Sequence, residues 1–204
     1  MISKGKFMAG VQVRNAEATK ERILEAAMAE FSSYGIAGAR VDRIAKTAGC
    51  NKNLIYIYFE NKETLFTTVL SHYLVPAYDD LAFTPDDLGG YAGRVFDFSM
   101  AHPALMRLLA WFSLEQKTNS PEERSSSHAA KVLALSKARE AGYVGNAFPP
   151  EFLLTVVMTL ATAWTAANPF GLSLEPDAIQ DRDKLKKRIA AAVRLIASAQ
   201  DVLD

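Results

Sequence analysis

The sequence predicts an all-α fold, with a three-helix unit at the N-terminal end followed by a larger helical unit. Three observations predict it. Apolar residues recur at the spacing of about 3.6 that gathers them on one face of a helix. Stops at Gly35, Pro76, Pro103, Gly142, Pro149-Pro150 and Pro169 divide the chain into helix-length segments. Finally, Val41 to Phe59, VDRIAKTAGCNKNLIYIYF, reads as two short helices joined by a Gly-Cys-Asn turn, which is the pattern of a helix-turn-helix.

Length and composition bound the function classes. With 204 residues, half of them apolar, the chain is long enough to bury a substantial core in one or two domains. No apolar run reaches the roughly 18 residues of a membrane span, and Met1-Ile2-Ser3-Lys4 does not lead into a signal-peptide core. The expected location is therefore the cytoplasm, away from membrane. A single cysteine, Cys50, excludes an intramolecular disulfide and a multi-cysteine metal cage. The 23 basic and 23 acidic residues balance overall, but residues 1–70 carry 10 basic against 7 acidic and the remainder 13 against 16. The excess of +3 sits on the side of the helix-turn-helix, although solvated helix faces produce excesses of that size too.

Residues 1–16 lack helical periodicity and contain Gly5, Gly10, Lys4, Lys6 and Arg14. They are read as a flexible arm, and minor-groove contact by such an arm stays open. From Glu17 to Tyr34 the stripe Ile23, Leu24, Ala27, Met28 and Phe31 predicts a helix that Gly35 stops. In the next short helix Ile44, Ala45 and Ala48 share one side. In the second, steps of about 100° per residue from Ile55 put Phe59 on the same inner side and Asn53 and Ile57 outward, flanked by Tyr56. An outward Asn can bond adenine, Lys52 can reach guanine or phosphate, and an outward Ile can touch a thymine methyl. On spacing alone, a buried helical corner of any all-α protein remains the plain alternative.

Arg40 and Arg43 sit at and near the start of the first short helix, where backbone amides and basic side chains together suit a phosphate. Asn61 is the expected N-cap of a longer helix through Leu65, Phe66, Val69, Leu70 and Tyr73. Lys62 in its first turn opposes the helix dipole, which a bound phosphate would offset. Pro76 marks a kink or an end, so the chain is divided into a DNA-binding unit over 17–76 and a second unit over 77–204.

The second unit reads as further helices. Leu88, Tyr91, Ala92, Val95 and Phe96 define one, halted at His102-Pro103; Leu105 to Leu114 define another. Ser120-Pro121-Glu122-Glu123 is a capping box, and its helix is expected to end at Gly142. Glu151 to Ala167 is apolar on nearly every face and needs partners on all sides. A last helix from about Asp177 to Val202 offers the stripe Ile189, Val193, Ile196 and Ala197. Two such terminal helices from each of two subunits make a four-helix bundle, and a two-fold dimer doubles the few base pairs one recognition helix reads.

Catalytic chemistry finds no support. His72, His102 and His128 are widely spaced, and no HExxH, Gly-rich phosphate loop or nucleophile signature is present, so no catalytic residue, metal or cofactor is expected. Cys50 precedes a helix N-terminus, which can lower a thiol pKa, but a small buried turn residue is the simpler reading. Phe96, Phe98, Met100, Met106, Trp111, Phe112, Phe152, Met158 and Trp164, together with His102, are candidates to line a cavity for a small hydrophobic or aromatic effector.

The residues Ile23, Ala26, Ala27, Phe31, Gly35, Ile44, Ala45, Ala48, Gly49, Tyr56, Tyr58, Phe59, Lys62, Glu63 and Leu65 carry a resemblance. Over Thr19 to Leu70 the chain resembles the DNA-binding domain of the tetracycline-repressor (TetR) family, in order and without gaps. Ala101 to Glu115 resembles the effector-binding half more weakly. The resemblance implies a homodimer joined through its last two helices. It implies a repressor that releases a palindromic double-stranded operator when a small molecule binds. Arg40, Arg43, Tyr58 and Lys62 would then hold phosphates, and Lys52, Asn53, Tyr56 and Ile57 would approach bases. Arg40 stands where a small hydroxyl residue is usual, Asn51 where Ser is common, and Ile57 where His is frequent, so the operator sequence does not carry over. Two alternatives stay open: a helical DNA-binding protein without an effector, and a helical enzyme or ligand carrier.

Overall fold

A computed structural model describes residues 4–115 and 122–200, with side chains over 15–76, 81–115 and 124–200. The described chain is all-α, as expected. Helix α1 spans Lys4–Gly38, α2 Val41–Ala48, α3 Lys52–Phe59 and α4 Lys62–Asp80. They are followed by α5 Leu88–Ala101, α6 Pro103–Glu115, α7 Glu122–Glu140 and α8 Pro150–Thr162. A single turn, α9 Gly171–Leu174, and a 3-10 turn over Pro176–Gln180 lead into α10, Arg182–Ala197.

Several boundaries differ from expectation. The backbone of residues 4–16 is helical and continuous with α1, where an arm was expected; the side chains of Lys4, Lys6 and Arg14 lie outside the described residues. Gly35 does break the helix, at φ 66° and ψ −178°, a region open essentially to glycine. Pro76 lies inside α4 and does not end it. Ser120 and Pro121 of the capping box lie outside the described residues. The apolar α8 ends at Thr162 rather than Ala167, because the chain turns through 163–168 with Trp164 Nε1 donating to the Glu175 carbonyl at 3.3 Å. Helix α10 starts five residues late, where the Asp181 side chain accepts the Lys184 N–H at 3.0 Å, and the expected end at Val202 lies outside the described residues.

Two apolar cores organise the helices. The first gathers Ile23, Phe31, Ile44, Ile55, Phe59, Leu65 and Phe66 from α1 to α4, and also Leu105, Met106 and Leu108 from α6. The second joins α5, α7, α8 and α10 through Tyr91, Phe96, Leu135, Leu153, Val157, Leu185 and Ile189. Helix α6 thus packs with the N-terminal helices α1 to α4, although it follows α5 in sequence. A carboxylate completes that attachment. Glu115 Oε1, at the end of α6, accepts the N–H groups of Ile36 at 2.6 Å and Ala37 at 3.2 Å, where α1 restarts beyond the Gly35 break. Restarted helix ends need such acceptors.

Candidate nucleic-acid interface

The helix-turn-helix is held by two charged residues of α1. Glu30, almost wholly buried, accepts the Arg40 N–H at 2.8 Å and the Arg43 Nε–H at 2.8 Å through one carboxylate oxygen. Burial works to raise the Glu30 carboxyl, but the hydrogen bonds from Arg43 and from the Arg40 backbone outweigh it and hold the group below its ordinary value. At the other end of α2, Arg22 Nε donates to the Ala48 carbonyl at 3.1 Å. An anion at the N-terminus of α2 and a cation at its C-terminus both suit the helix dipole.

The turn follows from local rules. Gly49 adopts φ 63° and ψ 40° as the C-cap of α2, and the Cys50 N–H closes the turn onto the Ala45 carbonyl at 3.0 Å, the arrangement of a left-handed glycine cap. Asn51 caps α3, its side chain accepting the Asn53 N–H at 2.9 Å. Burial pushes the Cys50 thiol above its ordinary value, against a smaller opposing effect of Arg22, so the local field does not activate it.

Helix α3 presents the faces expected of it. Ile55 and Phe59 are buried, whereas Asn53, Tyr56 at 43% and Ile57 at 71% are exposed. Lys52 is exposed too, and pairs with Asp42 of α2 at 2.8 Å. Helix α4 begins at an Asn61 cap, whose Oδ1 accepts the Thr64 N–H at 2.7 Å. Between the two helices Glu60 sits at φ 62° and ψ −56°, with the Asn61 N–H donating to the Phe59 carbonyl at 2.6 Å. That is a γ-turn in its strained form, and nothing in the sequence signalled it.

The basic candidates are not equivalent. Arg40 is exposed. Lys62, half-buried, donates from Nζ to the Ala39 carbonyl at 3.3 Å, which ties the first turn of α4 to the start of α2. Tyr58 is half-buried with its ring edge-on to Phe59. Arg43 is largely committed within the protein: besides Glu30, its Nη2 donates to the Gly38 carbonyl at 3.0 Å and its guanidinium covers the Tyr34 ring at 4.4 Å. These contacts join the first turn of α2 to the end of α1, and the side chain is still 42% exposed.

A second feature lies between α4, α5, α6, α7 and α8. It is a cavity of about 580 Å³, within the usual range for small-molecule sites. Met106 and Met158 line it, as expected, and so does Phe98. The other named candidates are placed elsewhere. Phe96 is fully buried in the second core and Met100 packs against it. His102 caps α5 and stacks on Phe98, with Nδ1 2.8 Å from the Phe98 carbonyl. Trp111 crowds Gly35, where an added Cβ would lie 2.8 Å from its ring. Phe112 stacks on Phe66, Phe152 stacks on Phe148, and Trp164 serves the turn after α8. Missed altogether were Arg124, His128 and Lys131, which line the cavity from α7. Their i, i+4, i+7 spacing marks one helix face and was available in the sequence.

Among the described residues there is no group of His, Cys, Asp and Glu able to hold a metal ion, and no helix long and apolar enough to cross a membrane.

Comparison with known proteins agrees with this architecture in both halves. Residues 23–69 match the model for bacterial regulatory proteins of the tetR family, and residues 87–195 match a tetracyclin repressor-like C-terminal domain. The chain is 42% identical over 159 residues to the HTH-type transcriptional repressor SCO4008 of Streptomyces coelicolor, covering 76% of this chain and 82% of that one. It is 29% identical over 155 residues to the HTH-type transcriptional repressor NicS of Pseudomonas putida, covering 72% and 73%. Among solved structures, the transcriptional regulator SCO4942 from Streptomyces coelicolor matches with a TM-score of 0.76 at 33% identity, covering 87% of this chain and 97% of that one. The fold and site define a DNA-binding transcriptional regulator. The chain belongs to the TetR family.

Proposed function

We propose that this regulator is a homodimeric repressor that binds a palindromic operator and leaves it when a small molecule enters the cavity between α4, α5, α6, α7 and α8. The observation that carries the DNA reading is the two-faced α3: Ile55 and Phe59 anchor it while Asn53, Tyr56 and Ile57 stand exposed together. With Lys52 they approach base edges. Arg40, Tyr58 and Lys62 hold phosphates on either side, with Arg43 beside them positioning α2. The DNA-binding unit is residues 17–76, with α6 packed onto it, and the effector and dimerisation unit is 77–204. The protein acts in the cytoplasm, and no catalytic step is needed.

The apolar α8 supports the dimer. Its inner residues Leu153, Leu154 and Val157 are buried, but Phe152, at 47%, stays exposed, as does Leu195 on neighbouring α10 at 75%. A helix apolar on most faces, bare on one, needs a partner there, and the same bare face on a second copy supplies it under two-fold symmetry. The cavity supports an effector over a regulator without one, since a tightly packed second core would have left no room. Effector binding favours a state in which the two α3 helices are misplaced for successive major grooves, and weakens DNA binding by its preference for that state.

Selection of bound fragments from a genomic DNA pool tests the reading. Recovery of a two-fold symmetric site bound by two chains is expected. Absence of any preferred sequence, or binding as one chain, would overturn it.

A further inference from the structure

Residues 40–59 carry four basic side chains, Arg40, Arg43, Lys46 and Lys52, and one acidic side chain, Asp42. An acid on a surface that meets phosphates weakens binding to every DNA sequence alike. Asp42 nevertheless stands exposed in the first turn of α2, where its Oδ1 accepts from Lys52 Nζ at 2.8 Å. Lys52 is the first residue of α3, beside Asn53 and one turn before Tyr56. The pair therefore borders the exposed face of the recognition helix.

Its contribution to the fold is small. Asp42 is 60% exposed and Lys52 45%, and ion pairs so open to water add little to stability. Its effect falls on Lys52 instead. The helix dipole disfavours a cation at the start of α3, and a free lysine at that place would turn to the nearest phosphate, a contact that carries no sequence information. Asp42 supplies the opposite charge and fixes Nζ between the first turns of α2 and α3. Their hydrogen bond holds the Asp42 carboxyl below and the Lys52 ammonium above its ordinary value, so both stay charged; Arg40 favours the carboxylate further and opposes the ammonium, which Tyr56 favours. One of the three ammonium donors then goes to Asp42 and two remain. Guanine presents two acceptors, O6 and N7, in the major groove.

We infer that Asp42 is a specificity-determining residue of the DNA-binding face and acts by positioning: it holds Lys52 toward a guanine edge and withholds it from phosphates. This deepens the reading of α3 as the recognition helix and rests on it.

Two duplexes serve as probes: the site that wild type recovers from the genomic pool, and a shuffled duplex of the same length and base composition. Anisotropy titrations of the full chain over a salt series give the affinity and the salt slope for each. In Asp42→Ala the lysine is free to meet a phosphate. The shuffled duplex should then bind about three- to tenfold more tightly, with a slope steeper by about one. The recovered site should gain less, so the ratio of the two affinities falls at least about threefold. Asp42→Glu keeps the carboxylate and should restore most of that ratio. Lys52→Gln breaks the same pair from the other side. It should weaken the recovered site and erase a guanine preference at one position of each half-site in a random-library selection, and Asp42→Ala added to it should change the ratio no further. An unchanged ratio in Asp42→Ala overturns the inference, whether both duplexes gain equally or neither does. So does a full further fall when Asp42→Ala is added to Lys52→Gln, which would make Asp42 act without the lysine. Wild type that binds both duplexes equally would overturn the DNA reading and this inference with it; wild type that discriminates while Asp42→Ala keeps the ratio overturns this inference alone.

Discussion

Glu115→Ala removes the carboxylate that joins the end of α6 to the restart of α1. Its Oε1 accepts the Ile36 N–H at 2.6 Å and the Ala37 N–H at 3.2 Å. A hydrogen bond to a charged group contributes about 1.5–3 kcal/mol. The Ala37 bond is long and exposed, so water replaces most of it. The Ile36 bond is shorter and partly buried, and its loss leaves a donor poorly served. Together the expected cost is about 2 kcal/mol, or a fall in Tm of roughly 4–8 °C for a chain of this size. Glu115→Gln keeps an acceptor without the charge and should lose about half as much. The segment released runs through Gly38 and Ala39 into Arg40, so operator affinity should fall as well. That fall should stay below about tenfold, because Glu30 and Arg22 still hold α2 at both ends. Thermal melts and operator titrations of the three proteins measure all of this. An alanine variant that melts within about 1 °C of wild type, or a glutamine variant as damaged as the alanine, would refute the account of Glu115 as an acceptor for the restarted helix.

Other expectations follow from the same geometry. Tyr56→Ala and Lys62→Ala should both weaken operator binding, but only the lysine variant should lower the slope of log affinity against log salt, by about one, with sequence preference unchanged. Equal slopes in the two variants would move Lys62 off the phosphates. Glu30→Gln should destabilise at neutral pH. Because the Glu30 carboxyl is held below its ordinary value of 4.5 in the folded protein, its contribution is present above that pH and is lost as pH falls through the folded value. Urea melts of wild type and variant should therefore converge in acid, and a gap constant down to pH 3 would contradict the pairing. Glu60→Gly removes a side chain from φ 62° and should raise stability by about 0.5–1 kcal/mol after the entropy of the unfolded glycine is counted; a lower midpoint would show the γ-turn to be unstrained.

Much of the fold was legible because its causes are local. The stripe on α1, the Asn61 cap, the Gly49 turn and the opposed faces of α3 depend on residues within about one helical turn of each other, and the structure places each as expected. The helix ends that moved, at Thr162 and Arg182, did so where a turn was set by contacts across 163–181 rather than by a cap readable in place. The cavity was the least legible part. Phe96, Trp111 and Phe112 are apolar like Phe98 and Met106, and composition does not say which apolar side chain faces a gap and which faces a neighbour. Arg124, His128 and Lys131 were passed over because a basic helical face ordinarily points to water.

By itself, then, the sequence determined that the chain is helical, where its helix-turn-helix lies and which side of α3 faces out, since side-chain period and end caps act over a few residues. Only the tertiary structure decided which charges are committed. Glu30 reaches Arg43 across 13 residues, Arg22 reaches Ala48 across 26, and Glu115 reaches Ile36 across 79. Such pairs exist only once helices have packed, so the same packing that ties Arg43 to Glu30 leaves Arg40 exposed, and brings α7's basic face to a cavity instead of to water.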